Sequence, residues 1–206
     1  MDRKIKSNAP LAGIGHTLWL LLWLPLFLAA PDLRAQYKYE REYRITEKEV
    51  PVRSADFVRS FPFEGKIKWY AEESQAGQTI EAKALLAGRK YSLEFDTAGR
   101  LLDIEVVIPW SGIPADVRAN ISQRLDSLYS RHRIGKIQLQ YAGDPDKIRA
   151  SILQQEIGEG YTTRYEIVVD GQVGRSKDSW ELHFARDGVL EQMSRIIYRN
   201  TDNLSY

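Results

Sequence analysis

For chemistry the 206-residue chain offers three histidines, 28 acidic side chains and no cysteine. A chain without cysteine has no thiolate nucleophile, no disulfide and no Cys-ligated zinc or iron–sulfur centre. His16 lies in the N-terminal segment. His132 stands in the run Arg131-His132-Arg133, which reads as a solvated helix end where positive charge suits the helix dipole. His183 falls on the polar side of a strand, with no second histidine at motif spacing, so neither a metal nor an acid–base role is assigned to it. Gly-x-Ser-x-Gly, phosphate-loop and His-Glu-x-x-His patterns do not occur. Glu156 and Glu159, beside Gly158 and Gly160, read as a solvated turn. Asp96 reads as a turn former, because calcium needs several oxygens from one clustered loop. The expectation is a protein that is not an enzyme, with no catalytic residue, no cofactor and no metal. A formal charge of +1 gives no field for a nucleic-acid backbone.

The positive charge belongs to a segment that reads as an export signal. Arg3, Lys4 and Lys6 precede an apolar run, Leu18 to Ala30, that Pro25 interrupts. The run is shorter than the roughly 20 residues that span a bilayer, and cleavage is expected after Ala35. Retention as an N-terminal anchor is the alternative. Removing residues 1–35 takes four of the 29 basic and two of the 28 acidic residues, leaving 25 and 26. A lipid-modified N-terminal cysteine is excluded. The expected location is the periplasm or the exterior, with no membrane span after cleavage.

Whatever chemistry remains must be positioned by strands. Tyr91, Leu93 and Phe95 alternate with Ser92 and Glu94, and Trp180, Leu182 and Phe184 alternate with Glu181 and His183. A period of two marks a sheet with one buried and one polar face. Each run ends in a glycine turn, Asp96-Thr97-Ala98-Gly99 and Ala185-Arg186-Asp187-Gly188. The match extends backwards. Ala82, Ala84 and Leu86 before Ala87-Gly88 align with Tyr165, Ile167 and Val169 before Asp170-Gly171. Lys66 to Trp69 aligns with Lys136 to Leu139, and Val50-Pro51 with Ile113-Pro114. Helices are expected over about 51–60 and 114–131, the second striped by Val117, Ile121, Leu125 and Leu128. A further small helix is expected in the inserted loop of about 142–160, after Asp144-Pro145-Asp146. The chain thus reads as an α+β protein: a tandem repeat of helix plus antiparallel meander sheet, with the helices packed on one sheet face. The first unit covers 36–110 and the second 111–206.

Phe61-Pro62 followed by Lys66-Ile67-Lys68-Trp69 resembles the PepSY-like, beta-lactamase-inhibitor-like family of exported bacterial proteins. So do Tyr91 to Gly99 and Ile113-Pro114-Ala115-Asp116-Val117. The likeness covers most of residues 40–198 and departs from the pattern where Leu139 replaces a tryptophan. It implies tandem helix-plus-sheet repeats without catalysis or cofactor. The inhibitor that gives the family its name grips an enzyme with an open sheet face.

Most aromatic residues read as core: Tyr37, Tyr39 and Tyr43 in phase with Ile45, and Trp69, Tyr91 and Trp180 in phase with their strands. Tyr70, out of phase on the face opposite Trp69, and Trp110, in the connector Pro109-Trp110-Ser111-Gly112 between the copies, read as candidate partner contacts. The expected function is a monomeric, non-enzymatic binding module, possible as inhibitor or accessory subunit, that takes an envelope protein or peptide through the open sheet face and end loops. Two alternatives stand beside it. An enzyme with an unrecognised site requires two inward carboxylates of raised pKa. A carrier of small lipophilic ligands requires an enclosed apolar pocket between helices and sheet.

Overall fold

The computed structural model describes residues 36–38, 40–74, 77–154 and 158–197, with side chains from Arg41 onward. The expected export segment, Tyr39, Glu156 and the side chain of Tyr37 lie outside the described residues. Chain order is β1 (Gln36–Lys38), β2 (Glu40–Ile45), α1 (Val52–Arg59), β3 (Glu64–Ser74), β4 (Gly77–Leu86), β5 (Arg89–Asp96), β6 (Leu101–Val107), α2 (Ala115–Leu128), β7 (Arg131–Gly143), α3 (Pro145–Gln154), β8 (Tyr161–Val173), β9 (Ser176–Ala185) and β10 (Leu190–Ile196). Pro51 and Pro114 immediately precede α1 and α2, and the inserted helix forms as α3.

Two local expectations are corrected. Helix α2 stops at Leu128 rather than near Arg131, because Tyr129 turns extended (φ −128°, ψ 134°). The Tyr129 ring lies against Gly171, where an added Cβ would come within 2.4 Å of it. His132 therefore opens a strand instead of ending a helix. The β8–β9 turn falls at Gly174 (φ 59°) rather than at Asp170-Gly171. Phe95 pairs with Ile80 and Phe184 with Tyr165, so Tyr165 matches Ile80, two residues from the match expected of the sequence. A slip of two leaves every side chain on its own face, so the period alone does not reveal it.

All ten strands join one sheet in the order β1-β10-β9-β8-β7-β6-β5-β4-β3-β2. Laid flat, β3 to β10 would span roughly 34 Å at about 4.8 Å per strand. Yet Lys38 pairs with Ile196 and Glu40 with Ser74, and two residues of chain reach at most about 7 Å. Both edges of the meander thus meet one short segment, and the sheet curls strongly. Counting residues 36–45 as one strand, nine strands complete the circuit. An odd number of alternating strands brings first and last together parallel, which is how β1 meets β10. A circuit of this size has an interior just wide enough for side chains, so the helices, each about 10 Å across, pack outside.

The outer, apolar face holds two cores. Ala55 and Val58 of α1, with Phe61, pack on Trp69, Ile80, Leu93 and Phe95. Val117, Ile121 and Leu125 of α2 pack on Ile137, Ile167, Leu182 and Phe184. Helix α3, inserted between β7 and β8, sends the fully buried Ile148 into the α1 core. The space a lipophilic ligand would need under α1 is filled: Phe57 meets Phe61 at 5.5 Å and Phe95 at 6.2 Å, and Trp69 meets Phe95 at 6.4 Å.

Candidate functional site

The inner face carries the ionisable side chains, and strand register arranges them in two matching patches. On β3, β4 and β5 the rows are Lys68–Lys83–Ser92 and Tyr70–Glu81–Glu94. On β7, β8 and β9 they are Lys136–Val168–Glu181 and Gln138–Glu166–His183. Each patch has a neighbouring carboxylate, Glu42 on β2 or Glu105 on β6.

In the first patch one ammonium sits between two carboxylates. Lys83 Nζ lies 2.9 Å from both Glu42 oxygens and 3.0 Å from Glu81 Oε2. It also stands 4.7 Å from the Tyr70 ring centroid, within cation–π range. Ser92 Oγ donates to Glu81. Tyr70 does lie opposite to Trp69 in phase, but it is 4% exposed. The expectation of an exposed aromatic at Tyr70 is corrected: curvature and Lys83 enclose it.

The second patch places the carboxylates together without that ammonium. Glu166 and Glu181 are 4% and 6% exposed. His183 Nε2 lies 3.0 Å from Glu181 Oε1 and 3.9 Å from Glu166 Oε2. Gln138 Nε2 donates to Glu105 Oε2 at 2.5 Å, and Gln140 Nε2 to Asp103 Oδ2 at 3.0 Å. Lys136 Nζ stands 3.8 Å from Glu166, on a side chain 44% exposed. Burial first, then the charges of Glu166 and Asp103 and a hydrogen bond with Glu166, push the Glu105 carboxyl well above its ordinary range. Sequence reasoning set His183 aside for want of a second histidine at motif spacing. The ligating atoms of Glu166, Glu181 and His183 nonetheless lie within 4.8 Å of one another. The legible signal was the polar phase of two adjacent strands, not a linear motif.

The other sequence candidates separate. Asp96 is a turn former: Oδ1 accepts from the amides of Ala98 (2.9 Å) and Arg100 (2.8 Å), and those bonds hold its carboxyl below the ordinary range. His132 Nδ1 is 3.8 Å from Asp126. Glu159 is exposed.

Trp110 is half-buried against the α2 core and lines a groove of about 460 Å³ with Val107, Ile108, Pro109, Ile134, Gly135, Lys136 and Ile137. The groove exists because the β6–β7 ladder ends at Val107–Gln138, while β7 continues back to Arg131 paired with β8 alone. Arg131–Gly135 is thus a sheet edge within the wall. The open sheet face expected of the sequence is not what forms. The inner face is concave and self-shielded, and backbone paired on one side only lies at this edge and at Glu64–Lys68 of β3.

No family model matches the chain, and no curated protein matches it. Among the described residues no helix is long and apolar enough to cross a membrane. Among solved structures the chain is similar to a BLIP-like protein from Bacteroides fragilis NCTC 9343, at 17% identity and TM-score 0.47 over 76% of this chain and 92% of that one. It is similar to a DUF2874 family protein from Bacteroides ovatus ATCC 8483, at 13% identity and TM-score 0.48 over 71% of this chain and 87% of that one. A protein from Bacteroides eggerthii DSM 20697, provisionally assigned to the periplasm, matches at 12% identity and TM-score 0.48 over 71% of this chain and 88% of that one.

Proposed function

We propose that the chain is a non-enzymatic binding module, exported to the periplasm or exterior by a signal cleaved near Ala35, and built as two copies of one unit over 36–110 and 111–206. It acts as a monomer and takes an extended, acidic segment of an envelope protein. The observation that carries this reading is the Arg131–Gly135 edge beside the Trp110 groove. An unpaired edge offers main-chain hydrogen bonds to an added strand, and a lateral groove offers a side-chain pocket. Arg131, His132 and Lys136 on or beside this edge favour a partner of negative charge. The test is capture of partners from envelope extract, followed by amide exchange on the complex. The expected result is slowed exchange at residues 131–135 and about 30-fold weaker binding by Trp110→Ala, the scale of an aromatic hot spot. Retention of no partner, or equal binding by Trp110→Ala without slowed exchange at the edge, overturns it.

One observation bears on the enzymatic alternative: Glu105, beside Glu166, is one inward carboxylate of raised pKa of the two it requires. The 4% exposure of Glu166 argues against access by a polymeric substrate. Turnover of an envelope substrate that is lost in Glu105→Gln would select that alternative.

A further inference from the structure

The two patches of the inner face differ by one cation. In the first, the Lys83 ammonium sits between two carboxylates, Glu42 and Glu81, at 2.9–3.0 Å. In the second, Glu81 is matched by Glu166 and Glu42 by Glu105, but the lysine position is Val168 and the serine position is Glu181. Glu94 is in turn matched by His183, so each patch has three carboxylates, but the second lacks the lysine at the Val168 position and has an imidazole instead. We propose that Glu166, Glu181 and His183, with Glu105 and Gln138 beside them, form a site for one divalent transition-metal ion of the zinc class, which takes the place that Lys83 holds in the first patch.

Three further observations support it. The ligating atoms of Glu166, Glu181 and His183 already lie within 4.8 Å of one another, so small rotamer changes bring them to the roughly 2.0–2.2 Å reach of a zinc ion. Gln138 is 5% exposed and paired in register with Glu166. Its amide lies within the cluster, Nε2 bound to Glu105, while Oε1 has no hydrogen-bond partner. An unpaired buried carbonyl oxygen beside carboxylates is an arrangement a cation completes. His183 Nδ1 is likewise buried without a partner. An imidazole with carboxylate and amide oxygens selects a borderline ion over calcium or magnesium, which favour all-oxygen shells. Beside the cluster on β7 and β8, the side chains of Lys136 and Arg164 are 44% and 43% exposed.

The experiment uses the purified full chain without a histidine tag, stripped by chelator and titrated with Zn²⁺ by calorimetry and with Co²⁺ by visible absorption. The expected result is one ion per chain with a dissociation constant of about 10 µM or tighter, and a raised thermal midpoint. Glu181→Gln and His183→Ala weaken binding by at least 10- to 100-fold, the scale lost even when only an outer-shell partner is removed. Val168→Lys, which copies the Lys83 arrangement, abolishes binding. A dissociation constant weaker than about 1 mM for the unaltered chain, or equal affinity in Val168→Lys, overturns the proposal. Should Val168→Lys not fold, unchanged affinity in His183→Ala overturns it instead.

Discussion

On β3–β5 the inner face holds Lys83 against Glu42 and Glu81; on β7–β9 the same grid holds Val168 against Glu166 and Glu181. One scaffold carries both, so the difference is side-chain chemistry rather than fold. The first patch satisfies its own carboxylates and acts as structure. The second keeps its carboxylates buried and leaves a polar acceptor, Gln138 Oε1, unsatisfied. An unsatisfied buried acceptor costs stability, and of the two patches only the second carries one among the described residues. The sheet wall does not divide in this way: β2 leaves Glu64–Lys68 of β3 paired with β4 alone, as β6 leaves Arg131–Gly135 of β7 paired with β8 alone.

The largest expected effect tests whether the two halves are energetically separate. Helix α3 belongs to the second half by sequence but buries Ile148 in the α1 core. Ile148→Ala leaves a cavity at a fully buried site and is expected to cost about 2–5 kcal/mol. Amide exchange should accelerate first around Leu93 and Phe95, not around Leu182 and Phe184. Acceleration confined to the second core would break the assignment of α3 to the first.

Next comes the ammonium itself. Lys83 has a side chain 12% exposed, and Lys83→Met strands Glu42 and Glu81, 35% and 15% exposed. Removing one partner of a buried pair costs about 3–5 kcal/mol; the exposure of Glu42 lowers the expectation to about 2–4 kcal/mol. Lys136→Met, at a side chain 44% exposed, should cost under about 0.5 kcal/mol. Urea unfolding of both variants measures the contrast, and equal losses would show that the patches do not differ as described.

Gly171→Ala is a smaller test of the same asymmetry. The added Cβ meets Tyr129 at 2.4 Å, a clash with a packed ring that is expected to cost about 1–3 kcal/mol. At Gly135, on the open edge, the nearest atom is 3.6 Å away, so Gly135→Ala should stay within about 0.5 kcal/mol. Thermal unfolding of the two variants separates them.

The sequence was legible where a local rule acts. Alternation placed Leu93, Phe95, Leu182 and Phe184 inside; Gly99 and Gly188 marked their turns, both at positive φ; and Asp144-Pro145 announced α3. Tyr70 was placed on the correct face but not in the correct environment, because burial of the inner face follows from the curl of the whole sheet. The end of α2 was missed for a similar reason: Tyr129 leaves the helix to cover Gly171, a contact between residues 42 apart. His183 was set aside because Glu166 reaches it across a ladder. Register, not spacing, brings them together, and a slip of two residues is invisible to a period of two.

The smallest effect separates surface electrostatics from buried charge. Asp170, on β8 beside the charged patch, accepts from Arg133 Nη2 at 2.6 Å and from Ser179 Oγ at 2.8 Å. Those bonds, Arg133 first, hold its carboxyl below the ordinary value. A carboxyl depressed in the folded state contributes stability that is complete above its unfolded value, near pH 4, and that is lost as pH falls through the folded value. Arg133 is 79% exposed, so the contribution should be under about 1 kcal/mol and should shrink with salt. Asp170→Asn is therefore expected to be slightly less stable than the unaltered chain at pH 7 and equal to it near pH 2. A deficit that persists unchanged at pH 2 would trace to lost packing rather than to charge. The carboxylates of the second patch would then be the site where charge, and not shape, sets the two halves apart.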